Sequence, residues 1–240
     1  MPNFKLILEY DGARFHGWQI QPDRRTVQGE LRRAIEETTG ERPAVTGAGR
    51  TDAGVHAVAQ VASFASGTRL APAVLRRALN ARLPEDVRVR CVEEAPPRFN
   101  ARYDAKSRTY HYIFIRRPTA LWRNYYYLVT GELDIAAMRG ALGELRGERD
   151  FTTFVSSQDD SPVKRCRVIR SELIEAPPLV TLSVTADHFL HHMMRSVAGT
   201  VLEIGRGKPW SMSGIIAARD SSRSGATLPP YALYLMHVGY

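Results

Sequence analysis

The chain has 240 residues, 44% of them apolar, enough to bury one large core or two of modest size. A net charge of +8 and a pI near 9.8 carry no information about fold but point to polyanionic partners. Cys91 and Cys166 have no metal-ligand spacing and fit a reduced compartment, and no signal pattern or membrane-length apolar run is present, so a soluble cytoplasmic protein with no membrane partner is expected.

The first predicted element is a strand over residues 4–10, where Phe4, Leu6 and Leu8 alternate with Lys5, Ile7 and Glu9. Thr26 is placed to cap a helix whose apolar stripe is Val27, Leu31, Ala34 and Ile35, with Gly40 as its stop. A short extended piece at 43–47, a glycine-rich loop and a strand at 58–64 together suggest a hairpin. Pro72 suits a first helical turn, and Leu75, Leu79 and Leu83 continue that helix to Pro84. Val87, Val89 and Cys91 alternate as a closing strand, after which Ala95-Pro96-Pro97 breaks regular structure.

The order strand, helix, strand, strand, helix, strand then repeats. An aromatic strand spans 108–115, and Ile135, Met138, Leu142 and Leu145 mark a helix. Strands at 167–174 and 179–185 flank Pro177-Pro178. A long helical stripe runs from Leu190 to Ile204 and stops at Gly205, a shorter helix is capped by Ser211, and 232–238 closes as a strand. The repeat predicts an α/β (α+β) fold of two ferredoxin-like βαββαβ halves, 1–103 and 104–240, sharing a mostly antiparallel sheet with a ligand cleft between them.

The most informative stretch is Gly47-Ala48-Gly49-Arg50-Thr51-Asp52-Ala53-Gly54-Val55-His56. It surrounds one carboxylate with glycines that permit close approach of a ligand, and sets a guanidinium beside it that favours the ionised form. The plain alternative is an Asp that caps its own turn. In the aromatic strand, Tyr112 and Phe114 read as core, whereas Tyr110 lies near the strand's start, where a ring can stack on a base. Arg195 interrupts an apolar helix and needs a carboxylate or phosphate, or else a path to solvent. His188 and His192 are one turn apart, but the pattern lacks an intervening Glu and a third ligand, which favours a structural or phosphate-contacting role over a metal site. The loop Phe15-His16-Gly17-Trp18-Gln19 with Arg24-Arg25 combines cations with an indole; it either binds a nucleic-acid backbone or is pinned by Trp18. The basic residues are nearly all arginine, whose planar fork suits phosphate and stacks on bases. A GC-rich genome accounts for Arg over Lys, but not for the net surplus.

Taken together these residues resemble the tRNA pseudouridine synthase A family along the whole chain. The resemblance rests on Tyr10-Asp11-Gly12, on Gly17-Trp18-Gln19-Ile20-Gln21-Pro22, and on Thr26-Val27-Gln28-Gly29-Glu30-Leu31. It continues through Gly49-Arg50-Thr51-Asp52-Ala53-Gly54-Val55-His56-Ala57, Phe99-Asn100-Ala101-Arg102 and Ala105-Lys106-Ser107-Arg108-Thr109-Tyr110. Asp150-Phe151 with Phe154, and Phe189-Leu190-His191-His192-Met193-Met194-Arg195, complete it. The resemblance implies Asp52 as catalytic carboxylate, Tyr110 as base-stacking ring, Arg195 as basic partner of the aspartate, and Arg50 as a substrate contact. It also implies a homodimer acting on uridines 38 to 40 of the tRNA anticodon stem-loop, a redox-neutral isomerisation with no cofactor and no metal. Two departures are visible: Arg149 stands where the family often has His, and Ala232 where it usually has Gly. The competing readings are a non-catalytic RNA-binding protein with the same basic surface, and a His-dependent metallohydrolase.

Overall fold

A computed structural model describes residues 1–156 and 162–240. The strands are β1 (Asn3–Tyr10), β2 (Thr46–Gly47), β3 (His56–Ala65), β4 (Val87–Ala95), β5 (Ser107–Ile115), β6 (Tyr127–Leu128), β7 (Gly147–Asp150), β8 (Arg165–Ala176), β9 (Leu179–Ala186) and β10 (Leu233–Gly239). The α-helices are α1 (Val27–Thr39), α2 (Pro72–Asn80), α3 (Ile135–Gly143), α4 (Met193–Gly205) and α5 (Met212–Ala218). They divide into two compact units, Met1–Lys106 with Tyr234–Tyr240, and Ser107–Leu233. Both are mixed α/β, and their strand pairing is mostly antiparallel.

In the first unit the strand order is β4-β1-β3-β10, with β2 on the edge of β3. Alternation explains β1: Phe4, Leu6, Leu8 and Tyr10 are buried while Lys5, Ile7 and Glu9 are not. Phe4 stacks on Phe64 of β3, ring centroids 5.5 Å apart. Against this layer α1 buries Val27, Leu31, Ala34 and Ile35, and α2 buries Leu75 and Leu79. Each buried Val, Leu or Ile among these contributes about 1.5–3 kcal/mol relative to exposure. Thr26 caps α1 as expected, its Oγ1 accepting from the Gly29 amide at 3.3 Å, and Gly40 ends it in the left-handed region at φ 73. β3 is buried over most of its length because both edges are occupied. β1 pairs along one, whereas β2 (Thr46↔Ser63) and the parallel β10 (Tyr234↔His56) share the other.

The second unit has the order β5-β9-β8-β7, antiparallel throughout, with β6 parallel to the end of β5. Tyr112 and Phe114 are fully buried, as their alternation predicts. α4 is the central helix, with eleven buried residues from Met193 to Gly205. It begins at Met193 and not at Leu190, because His192 takes a left-handed φ of 66 and Met193 still donates to the Leu190 carbonyl in a turn. Ser211 caps α5 by accepting from the Gly214 amide at 3.2 Å. β7 is absent from the sequence reading: Gly147-Glu148-Arg149-Asp150 has no apolar alternation, since it is an exposed edge strand, paired antiparallel to β8 and tied to it by the Arg165–Glu148 ion pair at 3.1 Å.

Candidate active site

The Asp52 loop connects β2 to β3 and is held from beneath at several backbone points. The Ala48 amide donates to the Val61 carbonyl at 2.8 Å, and the Gln60 side-chain amide donates to the Gly49 carbonyl at 2.9 Å. The Trp18 amide donates to the Thr51 carbonyl at 3.0 Å, and the Thr51 hydroxyl lies 2.8 Å from the Tyr10 phenol. After Asp52 the loop turns back: the Val55 amide donates to the Asp52 carbonyl at 3.2 Å, with Gly54 at φ 79 inside that turn. Ala48, Thr51 and Val55 are buried, Asp52 is half-exposed and Arg50 is exposed. A carboxylate presented from a backbone so fixed is where a rigid scaffold places chemistry.

The loop between β1 and α1 supplies much of that support. Trp18 is fully buried, and a Cβ on Gly47 would lie 2.5 Å from its indole, so only glycine lets the ring and the loop backbone meet. Arg25 anchors the same loop. It makes a bidentate pair with Asp86 at 2.8 Å for both bonds, reaches Glu30 at 3.0 Å, and covers the Phe15 ring at 4.1 Å. The Asp86 carboxylate, then Glu30, raises the Arg25 pKa further above its usual range. Of the two sequence readings of this segment, packing by Trp18 is the one its burial supports, and Arg25 is committed to carboxylates.

Tyr110 is buried on β5, and its ring meets Phe189 edge-on at 4.8 Å. The neighbouring Arg108 is also buried and donates to the Asp187 carbonyl at 2.7 Å. Arg195, half-exposed near the start of α4, donates through Nε to the Leu228 carbonyl at 2.7 Å, while the Leu228 amide returns a bond to the Arg195 carbonyl at 3.3 Å. Ser196 and Thr227 add a hydroxyl pair at 2.9 Å. Segment 227–228 is thereby tied to the first turn of α4. Deep in this unit the Tyr112 phenol donates to the Pro229 carbonyl at 2.9 Å and is pushed far up by burial. Of the histidines, His188 sits 2.9 Å from the Asp187 carboxylate, and the His191 and His192 rings lie 4.0 Å apart. Arg149 is exposed on β7, and Ala232, which immediately precedes β10 in sequence, is fully buried.

Three residues escaped the sequence reading. Tyr10 reads as the end of a strand and Gln60 is given no role within the strand at 58–64, yet both are buried beneath the Asp52 loop. Burial pushes the Tyr10 phenol up to about 12, an effect that its hydrogen bonds to Thr51 and Gln60 only partly offset. His56 is buried, its Nδ1 lies 3.1 Å from the Gly12 amide that donates to it, and its ring stacks on Tyr234 at 4.8 Å. The same Nδ1 lies 3.1 Å from the Asp11 carboxylate. The available signal was a polar side chain in a strand that otherwise reads as core.

A family model described as tRNA pseudouridine synthase matches residues 6–104 and 141–240, which include the Asp52 loop and Arg195. Relatives named tRNA pseudouridine synthase A align end to end. The protein of Caldicellulosiruptor bescii is 39% identical over 244 residues, covering 100% of both chains. That of Syntrophomonas wolfei is 40% identical over 244 residues, covering 100% of this chain and 98% of its own. That of Geobacillus sp. strain WCH70 is 42% identical over 242 residues, covering 98% and 97%. With this coverage and identity, the chain belongs to the tRNA pseudouridine synthase family, a family of isomerases.

Proposed function

We propose that this protein converts uridine to pseudouridine in tRNA, at positions 38 to 40 of the anticodon stem-loop, with Asp52 as its catalytic carboxylate. The observation that carries the reading is the Asp52 loop itself: a half-exposed carboxylate on a backbone fixed by Val61, Gln60, Trp18 and Tyr10. The reaction breaks the N1–C1′ bond, turns the uracil, joins C5 to C1′ and moves the C5 proton to solvent while N1 gains one. Atoms and electrons balance without a redox partner. The target nucleotide must leave the stack before any carboxylate can reach it. Asp52 then works at the sugar, by attack on C1′ or by removal of a ribose proton. Tyr110 is assigned to hold the detached base, Arg195 to keep the aspartate charged and aimed, and exposed Arg50 to contact the RNA. The +8 charge favours docking of tRNA on the protein, which is proposed to act as a homodimer in the cytoplasm.

Tritium release from tRNA labelled at uridine C5 tests the reading. Asp52→Asn binds tRNA with affinity close to that of the unmodified protein and releases no tritium. Normal turnover by that variant would remove Asp52 from the chemistry. Nucleoside analysis of the treated tRNA separates the enzyme from a protein that only binds RNA, and mapping the product tests positions 38 to 40.

A further inference from the structure

A buried glutamine in the middle of a core strand is costly unless every polar atom is used. Gln60 is fully buried, and its polar atoms are spent on the loop above it and on β1 and β3. Nε2 donates to the Gly49 carbonyl at 2.9 Å and to the Tyr10 phenol oxygen at 3.4 Å, while Oε1 accepts from the Val61 amide at 3.2 Å. The same phenol shares a hydrogen bond with the Thr51 hydroxyl at 2.8 Å. Tyr10 stays a neutral phenol throughout the physiological range, since burial raises its pKa. The alignment depends on a β-bulge. Leu8 faces Gln60 but Tyr10 faces Ala57, so an extra residue of β3 is accommodated between them. Bulges re-aim side chains next to functional loops.

We infer that Gln60, Tyr10 and Thr51 form a brace that sets the backbone of residues 49–51 and so fixes where the Asp52 carboxylate stands. They are positioning residues for the isomerisation and touch no substrate. The inference rests on the proposed role of Asp52. The two ends of the loop's active stretch are gripped by different partners, Gly49 by Gln60 and Thr51 by Tyr10. Loss of one grip lets the carboxylate swing without unfolding the sheet. A displacement of about 1 Å costs up to about 100-fold in rate.

The test uses single-turnover tritium release with enzyme in excess, tRNA affinity, and urea melts of the same full-length proteins. Tyr10→Phe and Thr51→Val each remove one hydroxyl at nearly constant volume. They are expected to slow the chemical step about 10- to 100-fold while tRNA affinity stays within about two-fold. Thr51→Ser, which keeps the hydroxyl, recovers most of the rate. The Tyr10→Phe, Thr51→Val double variant is no slower than the worse single, because both break the same brace. Rates within about two-fold of the unmodified protein in both single variants overturn the brace. So does a Thr51→Ser as slow as Thr51→Val, or a slow rate that rises to normal once corrected for the folded fraction. If Tyr10→Phe does not fold, the Thr51 pair decides alone. Asp52→Asn runs alongside: if it turns over normally, the role of Asp52 fails, whereas an inert Asp52→Asn beside a normal Tyr10→Phe removes only the brace.

Discussion

Gly17→Ala is the sharpest test of how the loop after β1 supports the Asp52 loop. Gly17 has φ +86, and a Cβ there would lie 2.6 Å from the Thr51 carbonyl oxygen and 3.2 Å from the Asp52 carbonyl carbon. Two costs combine. Holding an alanine in the left-handed region costs about 1–3 kcal/mol, and forcing a methyl against packed backbone costs about 1–3 kcal/mol more. The sum, about 2–6 kcal/mol, is a large share of a net stability of about 5–15 kcal/mol. Neither neighbour is a flexible side-chain tip, so relief must come from moving the backbone of Thr51 and Asp52. Equilibrium urea unfolding measures the loss, and tritium release measures the accompanying drop in turnover. A variant within about 0.5 kcal/mol of the unmodified protein would refute the argument.

Four further outcomes are expected. Gly140→Ala, in the exposed interior of α3 with nothing within 4 Å of the new Cβ, stabilises by about 0.5–1 kcal/mol in the same urea assay. In a double-mutant cycle on Arg25 and Asp86, the bidentate pair shows a coupling of about 1 kcal/mol, whereas the exposed Arg33–Glu37 pair at 3.4 Å shows less than about 0.5. The Asp150 carboxyl is held below its ordinary 3.8, first by the Thr152 hydroxyl and amide and then by Arg219. A lowered folded pKa gives stability that is fully present above that ordinary value and is lost as pH falls through the folded one. Asp150→Asn therefore narrows its deficit below about pH 4, seen as converging urea midpoints in a pH series. Binding of tRNA weakens about 10³- to 10⁵-fold between about 50 and 200 mM salt, if about 6–10 phosphates are contacted; filter binding at several ionic strengths reads the slope.

Much of the fold was legible because local rules and burial agree. Thr26 before an apolar stripe, Gly40 after it and Pro72 at a first turn each occupy the expected place, and the β1 alternation matches its burial. What escaped was set by partners distant in sequence. β7 forms because β8 offers its edge, and nothing in Gly147-Glu148-Arg149-Asp150 signals that. Asp52 stood out through its glycines and neighbouring arginine, but its supports did not. Tyr10 and Gln60 are 50 residues apart, and their meeting depends on strand register and a bulge that no local pattern encodes. Tyr110 was expected near a rim; its burial against Phe189 reflects a residue that follows β9 and reaches back over β5.

The place of β10 bears on how this protein is made. The strand that pairs with His56 and Ala57 contains Tyr234 and Leu235, and the Tyr240 phenol closes onto the Ala101 carbonyl at 2.8 Å. During translation, then, the first unit waits with part of one β3 edge open while more than a hundred intervening residues emerge. Its final hydrogen bonds form only after the second unit has emerged, long after its own helices are available to pack. Ribosome-bound chains stopped before residue 233 should carry this unit in a loosened, sticky form.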